Sequence, residues 1–131
     1  MTERISGSFD VRMTPQDVHA EATQAGFGRM ALDKRYHGDL DATGVGEMLA
    51  VRTATPGSAA YVAIEKVEGT LRGRRGSFFL RHTATMDRGT PDLSVAIVPD
   101  SGTDELVGLS GRLAIRVEDG KHYYDLDFTL A

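Results

Sequence analysis

The segment KHYYDLDFTL, at positions 121–130, alternates between apolar and polar side chains. Tyr124, Leu126, Phe128 and Leu130 fall on one face of an extended chain, and the residues between them fall on the other. A period of two is typical of a β-strand with one face in the core and one face in solvent, whereas a helix repeats every 3.6 residues. The segment therefore predicts a half-buried strand.

Comparable segments recur along the chain between short turn signals. They predict about eight strands, over 4–13, 28–38, 42–54, 59–71, 75–86, 92–99, 109–118 and 121–130. The segment Thr14–Gln24 predicts either a helix, with Thr14 as N-cap and Pro15 in its first turn, or a loop with one helical turn. Strands do not alternate with long helices, which argues against a parallel sheet. We therefore expect an all-β fold, a single antiparallel eight-stranded β-barrel over residues 1–131.

Composition argues against several classes of protein. The net charge is −4 and no basic stripe is present, so we expect no nucleic-acid partner. No apolar run approaches the roughly 18 residues of a membrane helix, and the N-terminus lacks the apolar core of a secretory signal. The chain has no cysteine, and its histidines lack the spacing of a helical zinc site. We expect a cytoplasmic protein with no membrane partner, no metal and no cofactor.

Four longer stretches carry a family likeness: DKRYHGDLDATGVGEML (33–49), SAAYVAIEKVEGTLRGRRGSFFLRH (58–82), VPDSGTDELVGLSG (98–111) and DGKHYYDL (119–126). Together they resemble domain-of-unknown-function family 3224, an uncharacterised bacterial family. The resemblance implies an eight-stranded antiparallel barrel of the allene-oxide-cyclase type, similar in shape to lipocalins and dirigent proteins. It implies no activity, because barrels of this shape host cyclases, stereochemical guides and plain binders.

Glu65 and His82 stand out because each places an ionisable group in a strand that otherwise matches a core. Alternation puts His82 on the same face as Phe78, and it puts Lys34 on the apolar face of its own strand. Glu65 shares a face with Tyr61. It points inward only if that face lines the core.

The strands that carry Glu65 and His82 form a predicted hairpin. With its turn centred near Gly73, Glu65 lies opposite Arg81 or His82. In an apolar cavity, burial would raise the pKa of Glu65 and lower that of His82, while Lys34 would oppose the shift of Glu65. Two interpretations stay open: a proton-sharing group of Lys34, Glu65 and His82 for general acid/base catalysis, and a buried polar network that closes one barrel end.

Other residues are candidates for contacting a ligand: Tyr36, Tyr61, Phe78, Ser101 and Tyr124. The tyrosines are equally typical of a core in which each hydroxyl finds a partner. Ser101 also fits the cap of a turn. Small residues on candidate inner faces, Ala63, Gly69 and Ala84, favour space inside the barrel.

We expect the barrel to bind a small, largely apolar molecule in its interior. One alternative is a cyclase or isomerase that uses the Glu65–His82 pair, so enzymatic activity is left open. Another is a structural or interaction protein whose barrel is filled by side chains. Apolar faces expected on the outside, at Val62 with Ile64 and at Val107 with Leu109, also predict a homo-oligomer.

Overall fold

The fold is seen in a computed structural model, which describes residues 2–131. Eight strands join in chain order into a closed barrel, and β1 pairs with both β2 and β8. The strands are β1 Glu3–Gln16, β2 Phe27–Tyr36, β3 Leu40–Arg52, β4 Ala59–Leu71, β5 Arg74–Asp87, β6 Thr90–Ile97, β7 Leu109–Glu118 and β8 Lys121–Leu130. All the pairings are antiparallel, which confirms the predicted all-β barrel.

The connection between β1 and β2 excludes the longer helix and agrees with the predicted alternative, a loop with about one helical turn. Thr14 and Pro15 belong to β1, and the helix, α1, covers only Ala20–Gln24. His19 is its N-cap, and the His19 ring accepts a hydrogen bond from the Ala22 N–H at 3.4 Å. No residue of α1 is buried, so no apolar face is available to stabilise further turns. Among residues 2–131, no helix is long and apolar enough to cross a membrane.

Strand alternation separates the core from the outer wall. Val62 and Ile64 are exposed on the outer face of β4, as predicted, and Val107 is exposed in the loop before β7. Leu109 is buried, because the alternation of β7 turns it toward the core with Leu113. The prediction that Leu109 lies on the outside was therefore wrong.

The two ends of the barrel differ. One end, here called the closed end, carries the Arg72–Gly73 turn and a short 3₁₀ helix, Asp104–Leu106. Apolar residues fill it and are fully buried: Leu40, Leu71, Leu106 and Leu109. At the opposite end, here called the open end, apolar side chains in inner-face positions keep much of their exposure: Met13 52%, Met86 41%, Leu93 38% and Val117 62%.

The β4–β5 hairpin fixes the position of Glu65. Its turn has two residues, Arg72 and Gly73, both with positive φ (48° and 80°), which is the type I′ geometry that suits a tight hairpin. Glu65 therefore pairs with Leu80, and His82 pairs with Ala63. The predicted partners of Glu65 were wrong, because the predicted turn centre lay slightly too far along the chain.

Candidate functional site

The buried carboxylate of Glu65 is the centre of a polar cluster inside the barrel. Its Oε1 accepts hydrogen bonds from Lys34 Nζ at 3.0 Å and from His82 Nε2 at 2.9 Å. Its Oε2 accepts a hydrogen bond from the Tyr36 hydroxyl at 2.6 Å. The structure thus brings together the three residues predicted as an acid/base group, and it adds Tyr36. We call these four residues the inner cluster.

Strands β2, β4 and β5 carry the four residues of the inner cluster, and β3 leaves space for them. Lys34 and Tyr36 are two residues apart on β2 and so share its inner face. Gly44 of β3 makes room for the carboxylate. A Cβ at Gly44 would collide with Glu65 Oε2 and would lie 3.2 Å from the Tyr36 ring. A glycine inside a strand often marks such a close approach, so Gly44 is a signal in the sequence that could have located the site, although it was not used.

The pKa of Glu65 reflects a balance between burial and hydrogen bonding. Burial is the largest single effect and raises the pKa. The hydrogen bonds from His82, Lys34 and Tyr36, with the charge of Lys34, together outweigh it and hold the pKa below its ordinary value. Burial and Lys34 thus act on the pKa in the directions expected, but the net lowering was not predicted, because sequence alone did not show that three donors converge on one carboxylate.

Tyr36 and Lys34 complete the electrostatics of the inner cluster. Burial, followed by the charge of Glu65, raises the pKa of Tyr36 well above its ordinary value, so its hydroxyl stays a donor. The Lys34 ammonium lies 5.2 Å from the centre of the Phe9 ring and 5.9 Å from that of Tyr36. Aromatic faces attract a cation at this range. Lys34 is therefore held by one carboxylate and two rings.

The inner cluster is self-sufficient in hydrogen bonds. Within residues 2–131, no buried side-chain nitrogen or oxygen lacks a partner. An ionised carboxylate can only accept, so His82 Nε2 carries the proton of the bond to Glu65. The same part of the chain holds no group of three His, Asp or Glu side chains arranged for a metal. The arrangement is suited to holding a charge in place inside the barrel.

The residues predicted to contact a ligand do not form one site. Phe78 is fully buried in the core. The Tyr124 hydroxyl donates to the His37 carbonyl at 2.9 Å and accepts from the Leu40 N–H at 3.2 Å. Ser101 lies in the loop after β6, where its hydroxyl accepts from the Phe79 N–H and donates to the Val98 carbonyl.

Tyr61 lies apart from these residues, toward the open end. It is on the inner face of β4, one inner position beyond Ala63, and it is partly exposed. Burial raises its pKa. The other residues in inner positions near this end include Met30, Met48 and Ala84, each partly exposed. Tyr61 is therefore the one predicted ligand contact that lies at the open end.

The small residues predicted to leave interior space have different roles. Ala84 lies at the open end, and Ala63 is buried beside the inner cluster. A Cβ at Gly69 would lie 2.6 Å from the Ala42 Cα, so this glycine permits β3 and β4 to approach closely. Gly69 therefore provides no room for a ligand.

A groove of about 830 Å³ lies on the outer wall of the barrel. Outward side chains of four strands line it, including Asp33, Glu47, Ile64 and Arg81. Its lining also includes four residues of the inner faces: Leu32, Gly46, Ala63 and His82. Of the inner cluster, His82 is among the lining residues, whereas Lys34, Tyr36 and Glu65 are not.

Comparisons with known proteins agree with this architecture. A family model described as a protein of unknown function (DUF3224) matches residues 5–128. A crystal structure of a protein with unknown function from the DUF3224 family of Shewanella oneidensis MR-1 is 45% identical, with a TM-score of 0.93. The match covers 100% of this chain and 99% of that one. No curated protein matches significantly. The chain belongs to the DUF3224 family of proteins of unknown function.

Proposed function

We propose that the protein binds a small, largely apolar molecule at the open end of its barrel. The site would be walled by inner-face residues of the strand ends, with Tyr61 and Ala84 among them. Lys34 and His82 of the inner cluster lie deeper along the same inner face. The bound molecule would replace water over side chains that alternation directs inward and that the protein itself leaves uncovered.

The difference between the two ends is the observation that carries the proposal. Side chains of one type, leucine, are fully buried at the closed end, whereas Leu93 at the open end is 38% exposed. Uncovered apolar surface is unfavourable in water by about 25 cal/mol per Å². A concentration of it inside a barrel mouth is typical of a ligand site in folds of this size.

Methionine is concentrated at this end. Met13, Met30, Met48 and Met86 all occupy inner-face positions near the open end. Their unbranched side chains adapt to irregular shapes and are over-used at permissive binding surfaces. This composition favours an apolar ligand held by shape and burial over one recognised by many fixed hydrogen bonds.

The inner cluster gives less support to catalysis. A general acid or base works best when its pKa lies near the working pH. Glu65 has a lowered pKa, is fully buried and accepts three hydrogen bonds from donors of the protein. The geometry favours a structural role for Glu65 beneath the ligand. The cyclase or isomerase hypothesis stays a prediction without a supporting contact.

A fluorescent apolar probe tests the proposal. We expect the uncharged probe N-phenyl-1-naphthylamine to bind saturably to the folded protein, and Ala84→Trp and Leu93→Lys, made separately, to weaken its affinity by at least about tenfold. Val62→Lys, on the outer wall, is the matched control and should leave the affinity within about twofold. Circular dichroism of each variant verifies the fold.

Two results would overturn the proposal. One is probe binding that is lost in Val62→Lys and kept in both open-end variants, which would assign the binding to the outer wall. The other is no saturable binding of the probe together with native mass spectra that show no bound small molecule in protein from its own host. That second result would favour a barrel filled by its own side chains.

A further inference from the structure

We propose that the outer wall over β2, β3, β4 and β5 is the contact surface of a symmetric homodimer. The surface lies on the opposite side of the wall from the inner cluster, so this inference does not depend on ligand binding at the open end. The argument rests on strand register, exposure and charge.

Strand register orders the outward side chains of this wall into rows that cross it from β2 to β5. The central row is Ala31, Glu47, Ile64 and Arg81. The row on the open-end side is Arg29, Leu49, Val62 and Thr83. The row on the closed-end side is Asp33, Val45, Lys66 and Phe79.

The middle of this surface is apolar and uncovered. Ile64 and Val62 are adjacent outward residues of β4, and they are 50% and 53% exposed. Val45 and Leu49 of β3 stand beside them and are also exposed. Large neighbouring apolar side chains of this kind are uncommon on the wall of a monomer and often mark an interface.

The charges of the central row are arranged for self-recognition. Glu47 and Arg81 lie on opposite sides of Ile64, each one strand spacing of about 4.8 Å away. A two-fold axis along β4 places β3 of one copy over β5 of the other. Ile64 then meets Ile64 of the partner subunit, and Glu47 meets Arg81 of the partner subunit, twice.

Arg81 and Glu47 are both available for an ion pair with a partner subunit. Arg81 makes no ion pair within residues 2–131. Glu47 pairs with Arg29 but remains largely exposed, so its second oxygen is accessible. The groove of about 830 Å³ on this wall gives the long side chains of the partner room to enter. Sheet twist separates the walls away from the centre, which leaves Lys66 in solvent at the rim.

Size-exclusion chromatography with light scattering tests the assembly. At about 50 µM, a concentration at which micromolar dimers persist, we expect a mass twice that of the 14.2 kDa chain. Ile64→Lys sets two ammonium groups against each other on the axis and should weaken association by at least about a hundredfold. Val117→Lys, at an open-end position that is 62% exposed against 50% for Ile64, is the control and should leave the dimer intact.

A charge swap tests the orientation. Arg81→Glu alone should weaken the dimer by at least about tenfold, since it opposes two carboxylates. Adding Glu47→Arg to that variant should recover most of the loss. Because the chain has no cysteine, Ile64→Cys provides a unique thiol, and a short bismaleimide should link two copies of it but not two copies of Val117→Cys.

Three outcomes would overturn the inference: a monomer mass for the native protein at 50 µM, a trimer mass, or a dimer that survives Ile64→Lys. If Arg81→Glu weakens the dimer and the double variant fails to recover it, the paired orientation is wrong. None of these outcomes bears on probe binding at the open end, so the two proposals fail separately.

Discussion

The closed and open ends of the barrel are built from similar residues with opposite results. At the closed end, Leu71 and Leu106 are fully buried, and the 3₁₀ helix packs Leu106 against Gly76 of β5. At the open end, Leu93 and Met86 occupy inner positions and stay exposed, because the two-residue connection between β5 and β6 is too short to cover them. The comparison teaches that alternation decides which way a side chain points, while a separate covering segment decides whether it is buried.

The inner cluster lies between the two ends, and breaking it should have the largest effect. Glu65→Ala leaves the Lys34 ammonium buried without its counter-charge, so we expect a loss of about 3–5 kcal/mol in the free energy of unfolding. Urea unfolding followed by circular dichroism measures it. Glu68→Ala, on the outer face of the same strand, should change stability by less than about 0.5 kcal/mol. A loss below about 1 kcal/mol for Glu65→Ala would show that the cluster is not structural.

A matched pair of leucines compares the two ends directly. Leu71→Ala removes fully buried atoms at the closed end and should cost about 2–5 kcal/mol. Leu93→Ala removes atoms that are already partly in water and should cost less than about 1 kcal/mol. Chemical denaturation of both variants at one pH gives the difference. Equal costs would contradict the description of one end as closed and the other as open.

Two glycines on inner faces sharpen the same comparison. Gly44→Ala inserts a methyl group against the Glu65 carboxylate and the Tyr36 ring, and overpacking of this kind costs about 1–3 kcal/mol. Gly28→Ala is the control, since its nearest neighbour is the Ala50 carbonyl oxygen at 3.9 Å. Thermal unfolding should show a lowered midpoint for Gly44→Ala and an unchanged or slightly raised one for Gly28→Ala. A lower midpoint for Gly28→Ala than for Gly44→Ala would show that the interior is not crowded around Gly44.

Acid should remove part of the stability that the inner cluster supplies. The pKa of Glu65 is lowered in the folded protein, so its contribution is present above the ordinary value of 4.5 and is lost as the pH falls through the folded value. Glu65→Gln has no such contribution to lose. The difference in unfolding free energy between native protein and Glu65→Gln should therefore shrink below pH 4.5. If the difference in unfolding free energy instead grew in acid, the pKa of Glu65 in the folded protein would be raised, which would contradict this prediction.

Much of the fold was predictable because a period of two repeats along so many segments. The same alternation correctly set Lys34 and His82 on inner faces, although it left Glu65 undecided until its face was known. The pairing register of the strands was harder to predict from the sequence than their positions. Whether the turn is centred on Gly73 or between Arg72 and Gly73 changes every partner across the hairpin, and backbone dihedrals decide it.

Covering segments were harder to predict than strands. Leu106 belongs to a three-residue 3₁₀ helix, which is too short to produce any apolar periodicity. The convergence of Lys34, Tyr36 and His82 on one carboxylate depends on three separate pairings and on the space left by Gly44. Each pairing has to be known within one residue before such a cluster can be located.

The central proposal is that the open end holds an apolar molecule and the closed end does not. The methyl groups of the methionines permit its most direct test. Protein labelled with carbon-13 at methionine and leucine methyl groups is titrated with N-phenyl-1-naphthylamine and followed by nuclear magnetic resonance. We predict saturable shifts for the methyl groups of Met30, Met48 and Met86, with Leu71 and Leu106 unchanged. Shifts confined to Leu49 on the outer wall, or none at the three methionines under saturating probe, would contradict the account.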